Sequence, residues 1–283
     1  MVRGILHGIN GLLLIACALT TLFPLVHILA TSLSGSAAVL AGRVFAWPVD
    51  WTTQAYVNLM ESGQLTRAML NTVVITAAGT LMQMTVTSLA AYALSKHRLG
   101  GRSWMLMAIL FTMLFGNGLI PMFLLLKQLS LLDTYWAIWL PGLISAYNLF
   151  VMKSFFEGMP GELEESAAID GASDPVIFVR LILPLSKPIL AAISLFYAVG
   201  LWNVYAQALY FLTSTNKFPL MVKLYQMIRT LDPSLLDANA VIHLSPESVK
   251  AASIIIAVTP ILCVYPFLQK YFVKGVLLGS IKG

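Results

Sequence analysis

The chain has 283 residues, 59% of them hydrophobic and only 10% charged, with a mean hydropathy of +0.85 and a formal net charge of +5. Soluble domains carry about a quarter charged residues and roughly 45–50% apolar ones, so this composition excludes a soluble globular protein and makes lipid the solvent. Two cysteines, Cys17 and Cys263, each inside an apolar run, suggest neither a disulfide framework nor a metal site.

A membrane-spanning helix needs about 20 predominantly apolar residues. The first such run covers about 9–33. Its LIAC (14–17) resembles a lipoprotein processing box, but apolar residues continue from Leu19 to Leu29, beyond the core of a signal peptide, so a retained span is predicted. His27 is its one ionisable group, read as a helix-packing hydrogen-bond partner rather than a proton relay. WPVDWTTQAY (47–56) follows, and its Trp and Tyr suit a membrane interface. Further runs lie at about 70–94, 104–126, 134–152, 188–212 and 249–270. Apart from Lys250 and Lys270, none of the six contains Asp, Glu, Lys or Arg. Their length selects helices, because barrel strands alternate and are about half as long. Pro24, Pro121, Pro141, Pro260 and Pro266 interrupt the runs, which calls for partner helices or a polar path to satisfy the freed backbone groups. The expected fold is an all-α integral membrane protein, one domain over residues 1–283 with six transmembrane helices.

Orientation follows from Lys and Arg, which favour the cytoplasmic side. With the N-terminus inside, cytoplasmic segments hold ten basic residues: Arg3, Lys96, Arg98, Arg102, Lys153, Arg180, Lys187, Lys270, Lys274 and Lys282. The longer outer loops hold seven: Arg43, Arg67, Lys127, Lys217, Lys223, Arg229 and Lys250. The short SKHRLGGRS (95–103) is the clearest inside marker, and the prediction is N-in and C-in, with a cytoplasmic loop at 153–187 and a cytoplasmic tail at 271–283.

Ion-driven transporters carry ionisable groups within the membrane, and these spans offer only His27. A phosphate-binding G-x-x-x-x-G-K-[ST] loop is missing too, as are a catalytic grouping and a metal-ligand spacing. The chain is therefore read as a non-enzyme that either draws its energy from another protein or is a passive channel.

The 153–187 loop departs from the rest. Its ELEESAAIDGASDPVIFVRLILPLSKP (162–188) holds five of the twelve acidic residues. Glu162, Glu164 and Glu165 fall in the first turn after Met159-Pro160-Gly161, where acidic groups complement the helix dipole. Leu163, Ser166, Ala167 and Asp170 share a mostly small face, Gly171 permits the turn, and Ser173-Asp174-Pro175 starts a second helix that Pro184 is expected to stop. Interfacial helices are usually basic; an acidic one points instead to a protein partner, which makes this a docking helix–turn–helix.

This stretch resembles the E-A-A-x3-G-x9-I-x-L-P loop of permease subunits of binding-protein-dependent ABC importers. Glu165-Ser166-Ala167 stands for E-A-A, Gly171 for the glycine and Leu181-Ile182-Leu183-Pro184 for I-x-L-P, with Ser166 and Leu181 as mild departures. IDGAS (169–173), LPLSKP (183–188), the segment 118–156 and the tail QKYFVKGVLLGSIKG (269–283) are similar to the carbohydrate-uptake branch, and more narrowly to oligosaccharide permeases served by lipoprotein binding proteins. The resemblance implies a coupling helix between spans four and five. It seats Glu165, Ser166, Ala167, Asp170, Gly171, Leu183 and Pro184 on a separate ATPase. It also implies a second homologous permease, two ABC ATPase subunits that bind ATP and Mg, an extracytoplasmic solute-binding lipoprotein, and a multi-pass place in a bacterial cytoplasmic membrane. This chain itself would hold no cofactor, metal or nucleic acid. Sugars are bound by aromatic faces with amides and hydroxyls, which makes Asn117, Asn148, Tyr197, Trp202, Asn203, Tyr205 and Gln207 the candidate translocation path. The competing readings are an ATP-independent channel or facilitator, and the same importer carrying a non-sugar solute.

Overall fold

Inside lipid a backbone has no partner but itself, so each apolar run must close its hydrogen bonds as helix. The computed structural model describes residues 2–61, 63–116, 118–230 and 245–279, and among these there are helices and no strand. In chain order they are α1 (Val2–Ser32), α2 (Ser36–Leu40), α3 (Gln54–Glu61), α4 (Gln64–Ser95), α5 (Arg102–Leu114), α6 (Leu119–Gln128), α7 (Trp136–Trp139) and α8 (Ala146–Glu157). Then come α9 (Gly161–Ile169), α10 (Asp174–Ile177), a π-helical turn (Phe178–Ile182), α11 (Leu183–Leu185), α12 (Lys187–Trp202), α13 (Ala206–Phe211), α14 (Leu220–Thr230) and α15 (Pro246–Gly279).

Among the described residues, three helices are long and apolar enough to cross a membrane: α1 over Ile9–Ser32, α4, and α15 over Pro246–Cys263. Two bent pairs, α5 with α6 and the Asp174–Leu185 segment with α12, make it up to five where each pair is one span. The remaining predicted run, 134–152, is divided between α7 and α8 by residues 140–145. Pro141 has no N–H to continue α7 and Gly142 follows it, so the helix stops. The 188–212 run is divided as well. α12 ends at Trp202, and the Asn203 side-chain amide donates to the Val199 carbonyl at 2.8 Å. The 249–270 run lies within α15, which continues as helix to Gly279.

The chain forms two compact units, Met1–Arg67 with Leu220–Ile261 and Ala68–Pro219 with Leu262–Gly283. In the first, α1 runs unbroken past Cys17 and exposes most of its apolar side chains. Its last turn is tied to the loop behind it: His27 Nδ1 lies 2.6 Å from the Phe45 carbonyl, and the Ser32 and Tyr56 hydroxyls are 2.7 Å apart. His27 is thus a packing partner, as its isolation in the sequence predicts.

In the second unit, α4 crosses α7 and α12 at Gly79, where a Cβ would come 2.6 Å from Leu201 Cδ1 and 2.8 Å from Trp139 Cδ1. Small residues allow such close approach between membrane helices. Trp139 Nε1 donates to the Ile75 carbonyl at 3.0 Å, which fixes the indole against the crossing. At one end of this unit Asp133, with φ +58, accepts from the Thr213 and Ser214 N–H groups, the Ser214 hydroxyl and the Lys217 ammonium. The Ser214 hydroxyl, more than any other group, holds the Asp133 carboxyl well below the usual carboxylate range, against the opposing effect of burial. Asn71 Nδ2 donates to the Asn216 and Phe218 carbonyls, so the same loop is tied to α4. At the other end lies the 153–187 loop.

Candidate functional site

The acidic loop begins where Pro160 caps α9 in an extended conformation and Glu162 and Glu164 occupy the first turn, complementing the helix dipole. α9 ends in a Schellman motif. Gly171 takes φ +82, its N–H donates to the Ala168 carbonyl and the Ala172 N–H to the Ala167 carbonyl, each at 3.0 Å. Extended Ser173 and then Pro175 in the first turn start α10. The second helix does not stop at Pro184 as the sequence suggests. A proline clashes with the carbonyl four residues back in a regular α-helix; here the π-turn Phe178–Ile182 widens the helix just ahead of Pro184, which becomes an early residue of α11.

Two ion pairs seat this loop, and two more centre on Glu157 at the end of α8 that leads into it. Lys96 engages both carboxylate oxygens of Glu164, and its Nζ lies 4.2 Å over the Tyr92 ring. Arg98 pairs with Asp174 at 2.5 Å. Arg102 pairs with Glu157, which also accepts from Lys153 at 2.8 Å, and Arg102 Nε donates to the Leu94 carbonyl at 2.8 Å. Burial raises the Glu157 pKa, but Lys153 and Arg102 together outweigh it and hold the carboxyl below its ordinary value. The Lys96–Glu164 side chains are only 20% and 23% exposed, whereas Arg98 and Asp174 are 69% and 61% exposed. Exposed pairs contribute about 0–1 kcal/mol, and shielded charge-assisted hydrogen bonds about 1.5–3 kcal/mol. The seat of α9 therefore depends on Lys96 far more than on Arg98, while Arg102 holds the end of α8. Beneath the pairs lies an apolar core of Tyr92, Met152, Phe156, Ile177, Phe178 and Ile182. The Tyr92 ring is 4.8 Å from Phe178 and 6.2 Å, edge-on, from Phe156.

This seat corrects the predicted docking face. Ala167 and Leu183 pack against that core, so they turn inward rather than outward. The phase of α9 is set by Glu164 reaching Lys96, and residue 167 lies one turn further on the same side. Glu165, Ser166, Asp170, Gly171 and Pro184 are exposed as expected. Ile169 was not anticipated; it is 86% exposed at the end of α9, among these residues. An apolar residue at a helix C-terminus gives no sequence signal until the phase of the helix is known.

The candidate path residues do not form one group. Asn117 lies outside the described residues. Tyr197 is buried, and its hydroxyl is 2.7 Å from Thr87 Oγ1 while accepting from the Ser145 N–H at 3.1 Å, so it joins three segments. Trp202 is buried, Asn203 caps the end of α12, and Tyr205 is half-buried. A cavity of about 270 Å³ does gather Asn148, Tyr197 and Gln207, together with Gln83, Ser145 and Gly142. Gln83, overlooked because one amide in an apolar run reads as helix packing, donates to the Gly142 carbonyl at 2.9 Å. Among the described residues no His/Cys/Asp/Glu group could hold a metal ion.

The profile of the family described as "Binding-protein-dependent transport system inner membrane component" matches residues 83–278. The chain is 41% identical over 273 residues to the polygalacturonan/rhamnogalacturonan transport system permease protein YtcP of Bacillus subtilis (strain 168), covering 95% of this chain and 96% of that one. It is 42% identical over 265 residues to the protein LplC of the same organism, covering 93% and 90%. A solved structure of a bacterial ABC transporter involved in the import of the acidic polysaccharide alginate contains a chain that superposes with a TM-score of 0.90 at 37% identity, covering 95% and 96%.

Proposed function

The chain belongs to the inner membrane components of binding-protein-dependent transport systems, and from that premise we propose that it is the permease subunit of an ATP-driven oligosaccharide importer. Its cargo class is suggested by relatives named for polygalacturonan, rhamnogalacturonan and alginate transport, which makes acidic oligosaccharides the first to test. It works by alternating access beside a second, homologous permease, in a bacterial cytoplasmic membrane. A solute-binding lipoprotein delivers cargo, and two ABC ATPases supply the ATP and Mg chemistry. The single domain of residues 1–283 crosses six times with both ends inside; the broken pairs α5–α6, α7–α8 and α12–α13 each serve as one span.

The observation that carries this reading is the loop α9–α10. It presents Glu165, Ser166, Ile169 and Asp170 outward while the pair of Glu164 with Lys96, the residue after α4, and an apolar core shared with α4 and α8 fix its inner side. An acidic helix so held is suited to a protein groove and not to anionic lipid. A push on α9 from a closing ATPase pair passes through Glu164 and Lys96 to α4. The same pairs join 95–103 to the loop, which supports placing both on the cytoplasmic side with the basic residues.

The test is to tag the chain in its native membrane, extract it gently and identify what accompanies it. A second multi-span protein together with a P-loop ATPase, and ATP-dependent saccharide uptake by that complex, are expected. Recovery of the chain alone, with flux that ignores ATP, would establish a channel or facilitator instead.

A further inference from the structure

Both divided runs break beside the same hollow. Gly142 and Ser145 come from the gap between α7 and α8, Val204 from the gap between α12 and α13, and all three line the cavity of about 270 Å³. Irregular backbone at membrane depth persists only where protein buries it or where it borders a polar cavity. Gln83 reaches the hollow from near the middle of the unbroken α4, and donates to the Gly142 carbonyl.

The hollow contains hydrogen-bonding capacity that the protein leaves unused. Asn148 is 6% exposed, and among the described residues its side-chain amide has no partner. The Gln83 side-chain oxygen is buried and unpaired. Gln207, exposed on α13, likewise has a free amide among the described residues. Phe196 and Tyr197 line the hollow together with these amides, and no charged side chain lines it. Amides that both donate and accept, next to aromatic faces, match a ring bearing hydroxyls. The size admits about one ring, since pockets for larger ligands begin near 300 Å³.

We propose that this hollow is a saccharide subsite that reads the hydroxyls of one sugar ring and takes no account of its carboxylate. The inference rests on the importer reading above and narrows it: charge selection against neutral sugars is made elsewhere in the assembly, and this chain contributes a charge-blind contact. Asn148 and Gln207 are the recognising groups, and Gln83 both braces the Gly142 break and faces the cargo.

The test uses the complete importer with its binding protein in proteoliposomes, and compares uptake of trigalacturonate, its methyl ester and maltotriose. Asn148→Leu keeps the branched shape but not the amide, and Gln207→Leu lies on an exposed position, so the second variant decides if the first fails to assemble. For each cargo the wild type carries, uptake per assembled complex falls about tenfold, the loss expected of one hydrogen bond, and the acid and its ester fall by the same factor. Wild-type uptake in both variants overturns the subsite, and a loss confined to the acid overturns its indifference to charge. An effect that vanishes once uptake is normalised to assembled complex reduces the amides to packing and also overturns it. Wild-type vesicles that take up none of the three with ATP overturn the importer reading together with this one, and that failure is seen before any variant is compared.

Discussion

Gly171 is the position at which the docking loop is most exposed to a single change, and the two substitutions Ala and Pro separate conformational strain from loss of the turn. At φ +82 an alanine costs roughly 1–2 kcal/mol. It adds no steric penalty, because nothing lies within 4 Å of its Cβ. The shielded Lys96–Glu164 pair, at about 1.5–3 kcal/mol, together with Ala167 and Ala172 on the core, outweighs that strain. Proline is a different perturbation. Its φ is confined near −65°, the Gly171 N–H bond to Ala168 is lost, and Asp170, now preceding proline, is driven out of its helical φ −71, ψ 3. The combined cost exceeds about 3 kcal/mol, more than the seat withstands. Gly171→Ala is therefore expected to keep binding-protein-stimulated ATP hydrolysis and uptake within about threefold of wild type, and Gly171→Pro to lose the coupling between them. Both quantities are measured in the same proteoliposomes and normalised to assembled complex. Normal coupling in Gly171→Pro, or equal damage from alanine, would refute the argument that the Schellman turn presents α9.

Reversing one charge, as Lys96→Glu, places two carboxylates together at a shielded site and should reduce stimulated ATP hydrolysis at least about tenfold; adding Glu164→Lys should recover most of it. Arg98→Ala, at an exposed pair, should change little. Gly79→Ala should destabilise the chain by about 1–3 kcal/mol in thermal unfolding in detergent, with partial relief from Leu201→Ala, since the leucine methyl is what the new Cβ meets. Asp133 titrates below its unfolded value, so its stabilisation is complete above the ordinary carboxylate range and is lost only as pH falls through the depressed value. The stability gap between wild type and Asp133→Asn should accordingly stay constant from neutral pH to about 4 and close only in stronger acid. A gap that already narrows near neutrality would count against the Ser214–Lys217 clasp.

The long unbroken helices were legible because hydropathy sums over a window, and α1, α4 and α15 are long apolar windows. The gaps at 140–145 and 203–205 were not, because a broken helix and a whole one present the same apolar content. Pro141-Gly142 hints at the first, but Asn203 looks like a path residue until its amide is found on the Val199 carbonyl. In the docking loop the glycine turn was legible from spacing alone, since a positive φ after a helix selects glycine. The facing of α9 was not. Its phase depends on Glu164 meeting Lys96, 68 residues away in sequence, and no local pattern encodes that contact. Ala167 was misplaced and Ile169 missed for this one reason.

The basic residues of 95–103 serve two physical purposes at once. As topology markers they are counted as charges, yet each of Lys96, Arg98 and Arg102 is also paired to an acid of the docking region. If the chain is the proposed importer permease, the consequence lies in which helix receives the push. α5–α6, α7–α8 and α12–α13 are interrupted, and an interrupted helix absorbs displacement at its gap. α4 has no interruption from Gln64 to Ser95. From Lys96 to Gln83 is thirteen residues, about 20 Å at 1.5 Å per residue. One rigid rod thus joins the Glu164 pair at the docking loop to the amide that braces Gly142 at the hollow. On the importer reading, a shift of α9 would be carried along α4 to the Gly142 break beside the cavity. On that reading the sturdy helix and the broken ones are complementary parts of one coupling path, and strengthening a gap should impair transport as surely as cutting the rod.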